Sequence, residues 1–105
     1  MSGKVSKASW DRVFMCSREL WNRFDPIGVA DRVCDEYDFY AGEAALLATR
    51  FSAREEFLAS AKTSVYQRMG LSTPIALVED FGILLHRELS EVVREISDHG
   101  ELFDE

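Results

Sequence analysis

Histidine, cysteine and proline are scarce, with two of each in 105 residues. His86 and His99 are the only imidazole bases. Cys16 and Cys34 stand alone, with no C-x-x-C pair and no Cys/His ligand spacing, so zinc templates have nothing to build on. Two reduced, buried thiols in a cytosolic protein are the expectation, and a single disulfide is the alternative. The chain lacks G-x-S-x-G, H-E-x-x-H and the phosphate-binding P-loop. It contains no nucleophile–base motif, so no catalytic residue and no cofactor are assigned.

Long apolar runs are missing too. The longest, Ala44–Ala48, has five residues, against about 20 for a membrane span. Residues 1–24 interleave charges with Trp, Phe and Met and lack the apolar segment of a secretory signal. A cytoplasmic location without membrane contact is expected. Positive charge is in deficit: 12 Lys and Arg face 19 Asp and Glu, for a net charge of −7. Nonspecific binding to nucleic acid or to anionic lipid is disfavoured. Lys4, Lys7, Arg12, Arg18 and Arg23 form the one basic cluster, and Trp10 and Trp21 fit an apolar stripe better than a base-stacking platform.

What the chain has is apolar material: 47% hydrophobic residues, with seven Phe, three Tyr and two Trp. This suffices for the core of one domain, though a thin one that self-association could supplement. Charge is segmented. Residues 1–24 and 49–72 are net basic, while 25–48 and 73–105 are net acidic. Such alternation predicts that basic and acidic segments become neighbours, with an acidic excess left for a basic partner.

The periodicity is helical throughout, without strand alternation, internal repeats or low-complexity segments. Ser6 or Ser9 can cap a first helix reaching about Phe24, with Trp10, Val13, Phe14, Ser17, Leu20, Trp21 and Phe24 on one stripe. Asp25-Pro26-Ile27-Gly28 has type I turn chemistry, and Pro26 stops the helix at Asp25. Residues 29–35 suit a short helical turn. A second helix over 36–50 places Tyr37, Tyr40, Ala44, Leu47 and Phe51 inward. Ala41, Ala45, Leu46 and Ala48 widen its face, which makes it central.

Ser52-Ala53-Arg54-Glu55 has capping-box form. It predicts a third helix over 53–69, with Phe57, Leu58, Ala61, Val65 and Met69 inward and Gly70 as its stop. Thr73 and Pro74 read as N-cap and first turn of a fourth helix to about Asp98. Its stripe is Leu77, Phe81, Leu84, Leu85, Leu89, Val92, Val93 and Ile96, and Gly82 marks a bend or a close helix approach. The expected fold is an all-α, four-helix bundle-like single domain over 1–105, with 1–6 and 101–105 frayed.

One stretch, residues 24–40, FDPIGVADRVCDEYDFY, crowds five carboxylates among aromatic residues. As metal ligands, Asp31, Asp35, Glu36 and Asp38 fail the EF-hand template, and no metal is assigned. At a helix N-terminus Asp35, Glu36 and Asp38 suit the dipole and pair with arginines of neighbouring elements. Phe39 points away from the Tyr37, Tyr40 and Ala44 stripe. Asp31, Asp35, Glu36, Asp38 and Phe39 are therefore the expected partner-binding residues, an aromatic ringed by carboxylates.

Trp-x-x-x-Asp-Pro-Ile-Gly-Val from Trp21, Asp-Glu-Tyr-Asp-x-Tyr from Asp35, Leu46-Leu47, Ser52-x-x-Glu55 and Met69-Gly70-Leu71 together resemble a family of small bacterial helical proteins, a domain of unknown function. Its members carry W-D-P-I-G-V and D-E-Y-D-x-Y segments. Here Asn22-Arg23-Phe24 separates Trp21 from Asp25, and Phe24 takes the aromatic position before the aspartate. The resemblance covers about half the chain. It implies an α-helical, cytoplasmic bacterial protein and assigns no catalytic residue.

Three functional expectations follow. The first is a non-catalytic module that binds a basic protein, for example in toxin neutralisation. The alternatives are a divalent-metal or carboxylate-based enzyme built on the acidic cluster, and a homo-oligomer sharing the apolar face of residues 41–48.

Overall fold

Helix α1 spans Lys7–Phe24 and starts where Ser6 accepts a hydrogen bond from the Ser9 amide, a side-chain N-cap. The computed structural model describes residues 4–28 and 35–103; Asp31, Cys34 and residues 29–34 of the expected turn lie outside them. Helix α2 is Asp38–Thr49, α3 is Arg54–Lys62, and α4 is Ile75–Asp98. Among the described residues these four helices form the domain, α1 packing on α2 and α4, and α3 on α4. The all-α, bundle-like architecture is the one the helical periodicity predicts.

The inner face of α2 is narrower than expected. Ala41, Ala44, Ala45 and Ala48 are buried, whereas Leu46 and Phe51 are exposed. Small side chains let α1 approach closely, and the Ser17 hydroxyl donates to the Ala41 carbonyl at 2.9 Å. That bond explains a serine within an apolar stripe: a buried hydroxyl is tolerated when it has a partner. Of the apolar face of residues 41–48, the alanines thus lie in the protein's own core and Leu46 is exposed.

Phe51 leaves the stripe because the helix ends before it. Its φ is +57°, its amide donates to the Ala48 carbonyl at 3.0 Å, and the Ser52 amide donates to the Leu47 carbonyl at 3.0 Å. This is a Schellman termination with phenylalanine where glycine is usual. The expected capping box is not formed, since Ala53 is the N-cap of α3 and makes no side-chain cap. The third helix also changes character, becoming π-helical over Thr63–Arg68.

In α4 the N-cap is Pro74, not Thr73. The buried positions are Val78, Phe81, Gly82, Leu85, Leu89, Val93 and Ile96, and Leu77 is exposed. Gly82 sets this phase. A Cβ there would stand 3.0 Å from the Leu58 Cα and 3.2 Å from its Cγ, so the absent side chain is what lets α3 and α4 touch.

The described ends are held. Val5 bridges to Phe103, the Ser6 amide donates to the Leu102 carbonyl at 2.9 Å, and the Ser9 hydroxyl donates to the Glu101 carbonyl at 2.7 Å. Leu102 is buried. One buried leucine and three backbone acceptors or donors thus join the segment before α1 to the segment after α4.

Two stability changes are expected. Gly82→Ala gains about 1 kcal/mol of helix propensity, but overpacking against the Leu58 backbone costs about 1–3 kcal/mol. Urea denaturation should show no net gain for Gly82→Ala, from parity to a loss of about 2 kcal/mol, and a clear loss for Gly82→Val; an alanine variant more stable than wild type would refute the close approach. Phe51→Gly relieves left-handed strain of about 1 kcal/mol at a site 63% exposed, so its midpoint should rise.

Candidate functional site

The acidic stretch is organised by one tyrosine. Asp25 follows α1 with φ +44°, and its amide donates to the Trp21 carbonyl at 2.8 Å. Gly28, at φ +82°, closes the turn by donating to the Asp25 carbonyl at 3.1 Å and to its Oδ1 at 3.1 Å. The Tyr37 hydroxyl donates to the same Asp25 Oδ1 at 2.8 Å and accepts from the Ile27 amide at 2.9 Å. Tyr37 thereby ties the start of α2 to the turn that ends α1. Burial above all pushes its phenol up to about 12. The Ile27 amide pulls the other way, and the hydrogen bond and charge of Asp25 add to the rise.

The expected partner-binding residues divide into three groups. Asp38 opens α2, where the dipole favours it, and its Oδ1 lies 2.9 Å from the Arg18 Nε of α1. It serves packing between helices. Asp35 and Glu36 are exposed, and no ion pair involves them among the described residues. Phe39 is 63% exposed, with its ring edge-on to Tyr40 at 5.5 Å. Asp31 lies outside the described residues.

Sequence reading missed the surroundings of Phe39. The Arg68 guanidinium sits 5.1 Å from the Phe39 ring centroid, a cation–π geometry, and pairs with Glu43 at 2.5 Å. Beside them lies a groove of about 430 Å³ between α2 and α3, lined by Leu46, Leu47, Ala59 and Glu56 among others. The signal was present in part: Phe39, Glu43 and Leu46 step by four and three, on the side of α2 opposite Ala41, Ala45 and Ala48.

Other chemistry is little supported by the geometry. Cys16 is a half-buried free thiol. Burial, then Glu88 and Glu19, push it up from its ordinary value, the opposite of what an activated thiolate needs. His86 packs edge-on to Phe57 at 5.3 Å, and His99 Nδ1 lies 2.8 Å from the Glu95 carbonyl. Among the described residues no group of three or more His, Cys, Asp or Glu is placed to hold a metal ion. No described helix is long and apolar enough to cross a membrane. Comparison with protein-family models, curated proteins and solved structures finds no match.

The Tyr37 knot has a titration signature. A phenol raised in the fold favours its neutral form, so its contribution to stability is complete below pH 10 and is lost as pH rises through about 12. Ultraviolet titration should show one late-ionising tyrosine, absent from Tyr37→Phe. At neutral pH that variant should lose about 1–2 kcal/mol, because the Ile27 amide and Asp25 lose a partner. A titration curve unchanged by Tyr37→Phe would overturn the assignment.

Proposed function

We propose that the protein is a non-catalytic binding module that engages a basic protein through the acidic start of α2. The observation that carries this reading is Phe39, an aromatic 63% exposed, three and four residues beyond Glu36 and Asp35, exposed carboxylates that make no ion pair among the described residues. Exposing a phenylalanine sacrifices about 1.5–3 kcal/mol of burial, and aromatic residues are enriched where one protein binds another. A net charge of −7 favours a cationic partner and speeds its approach. The contact set proposed is Asp35, Glu36 and Phe39, which are exposed, while Asp38 is engaged with Arg18.

Neutralisation of a cationic toxin is one concrete form of this activity, since masking a basic surface requires only a stable, acidic, aromatic-bearing face. The resemblance of the Trp21 to Leu71 stretch to small bacterial helical proteins supports a bacterial, cytoplasmic setting for it.

Tagged protein used as bait in lysate should retain a basic partner at low salt and release it at high salt. Phe39→Ser should lose capture, and the Asp35→Lys, Glu36→Lys double variant should lose it with the wild-type fold retained by circular dichroism. Capture that survives both variants, or no retained partner at all, overturns the reading.

A further inference from the structure

The groove between α2 and α3 offers more than a place for one aromatic ring. Its apolar lining is Leu46, Leu47 and Ala59, and its charged lining includes Glu43, Glu56 and Arg68. Arg68 is engaged by Glu43 and by the Phe39 ring, so it brings little free positive charge. Phe39 continues the outer line of Glu43 and Leu46 toward Asp35 and Glu36. At the other end of α2, Arg50 and Arg54 make no ion pair among the described residues. They match Glu55 and Glu56 in number there, so the uncompensated negative charge lies at the Phe39 end.

We propose that this groove seats a basic amphipathic helix of the partner protein, its apolar stripe on Leu46, Leu47 and Ala59 and its cations over Asp35 and Glu36. Two neighbouring helices with an apolar channel between them accept a third helix through anchors at i, i+3, i+4 and i+7. Helix α2 has 12 residues, and at 1.5 Å per residue it spans about 18 Å, so a docked helix of about three turns covers it. A second copy of this chain is a poorer occupant: each copy carries a net charge of −7, which sets like charge against like at the Phe39 end. The inference rests on the basic-partner reading above and adds the partner's secondary structure and its seat.

The test titrates the full chain with two synthetic helical peptides of about 12 residues. One has leucines at helical spacing and lysine elsewhere; the other has glutamate in place of lysine. Amide NMR shifts should move at Leu46, Leu47 and Ala59 with the lysine peptide only. Ala59→Arg, at an exposed position of α3, should weaken the lysine peptide by about tenfold or more, and Leu77→Ala, between α1 and α4, should leave it unchanged. Shifts centred on Leu77 and Phe24, equal affinity for both peptides, no shifts, or unchanged affinity in Ala59→Arg would overturn the proposal. Lysate capture that requires Phe39, Asp35 and Glu36 but survives Ala59→Arg would also remove the helix seat, while leaving the binding reading in place.

Discussion

Trp21 is the point at which the separate parts of this fold meet. It is buried, and its ring lies 4.7 Å from Phe81 of α4, edge-on, 5.8 Å from Tyr37 and 5.6 Å from Tyr40 of α2. Phe24, one turn further along α1, stacks on Phe81 at 4.3 Å. Each such pair adds about 0.5–1.5 kcal/mol beyond the area it buries, but the larger effect is geometric. Trp21 stacks on Tyr37, whose hydroxyl reaches Asp25 and the Ile27 amide. The turn that ends α1 and the N-cap of α2 are thereby joined through one tyrosine on the core.

Charge follows the same neighbourhood relations. Basic α1 pairs with acidic partners on both of its neighbours, Arg18 with Asp38 of α2 and Arg12 with Glu95 of α4. Lys62 of α3 pairs with Glu79 of α4, and Arg68, just beyond α3, with Glu43 of α2. All are at least partly exposed, and pairs of that kind contribute about 0–1 kcal/mol each. Their value lies less in stability than in discrimination. Acidic α2 also touches acidic α4, so the pairs favour particular neighbours without removing every like-charge contact.

Much of this was legible in the sequence because it depends on local rules. The bounds of α1 and α4 follow from an N-cap serine, a pre-proline stop and a sustained 3.6-residue period. The alternation of basic and acidic segments matches the contacts of α1 with α2 and α4 and of α3 with α2 and α4, but not that of α2 with α4, both acidic. The errors share a different origin. Phe51 reads as core if α2 continues, but a left-handed residue ends the helix and moves that side chain off the stripe. Leu77 reads as core if the stripe starts with the first leucine, but the buried face of α4 runs through Val78 and Gly82, where α3 comes close. The π-helical turn over Thr63–Arg68 has no one-dimensional signature here. In each case a tertiary contact or a single backbone dihedral overrode a periodic pattern.

The same division applies to the candidate site. A count of carboxylates makes residues 25–38 look like one acidic cluster, yet the fold uses them for different purposes. Asp25 holds a turn and a tyrosine, and Asp38 holds a neighbouring helix. Only Asp35 and Glu36, among the described members, are left facing solvent without an ion pair. Charge that is already committed inside the fold is poorly available to a partner, because engaging it first breaks the existing pair. Uncommitted charge beside an exposed ring carries no such cost. The relevant property of this surface is thus the coincidence of Phe39 with the acidic groups that make no ion pair among the described residues, while Tyr37, two residues before Phe39, packs on Trp21 at 5.8 Å where α2 begins.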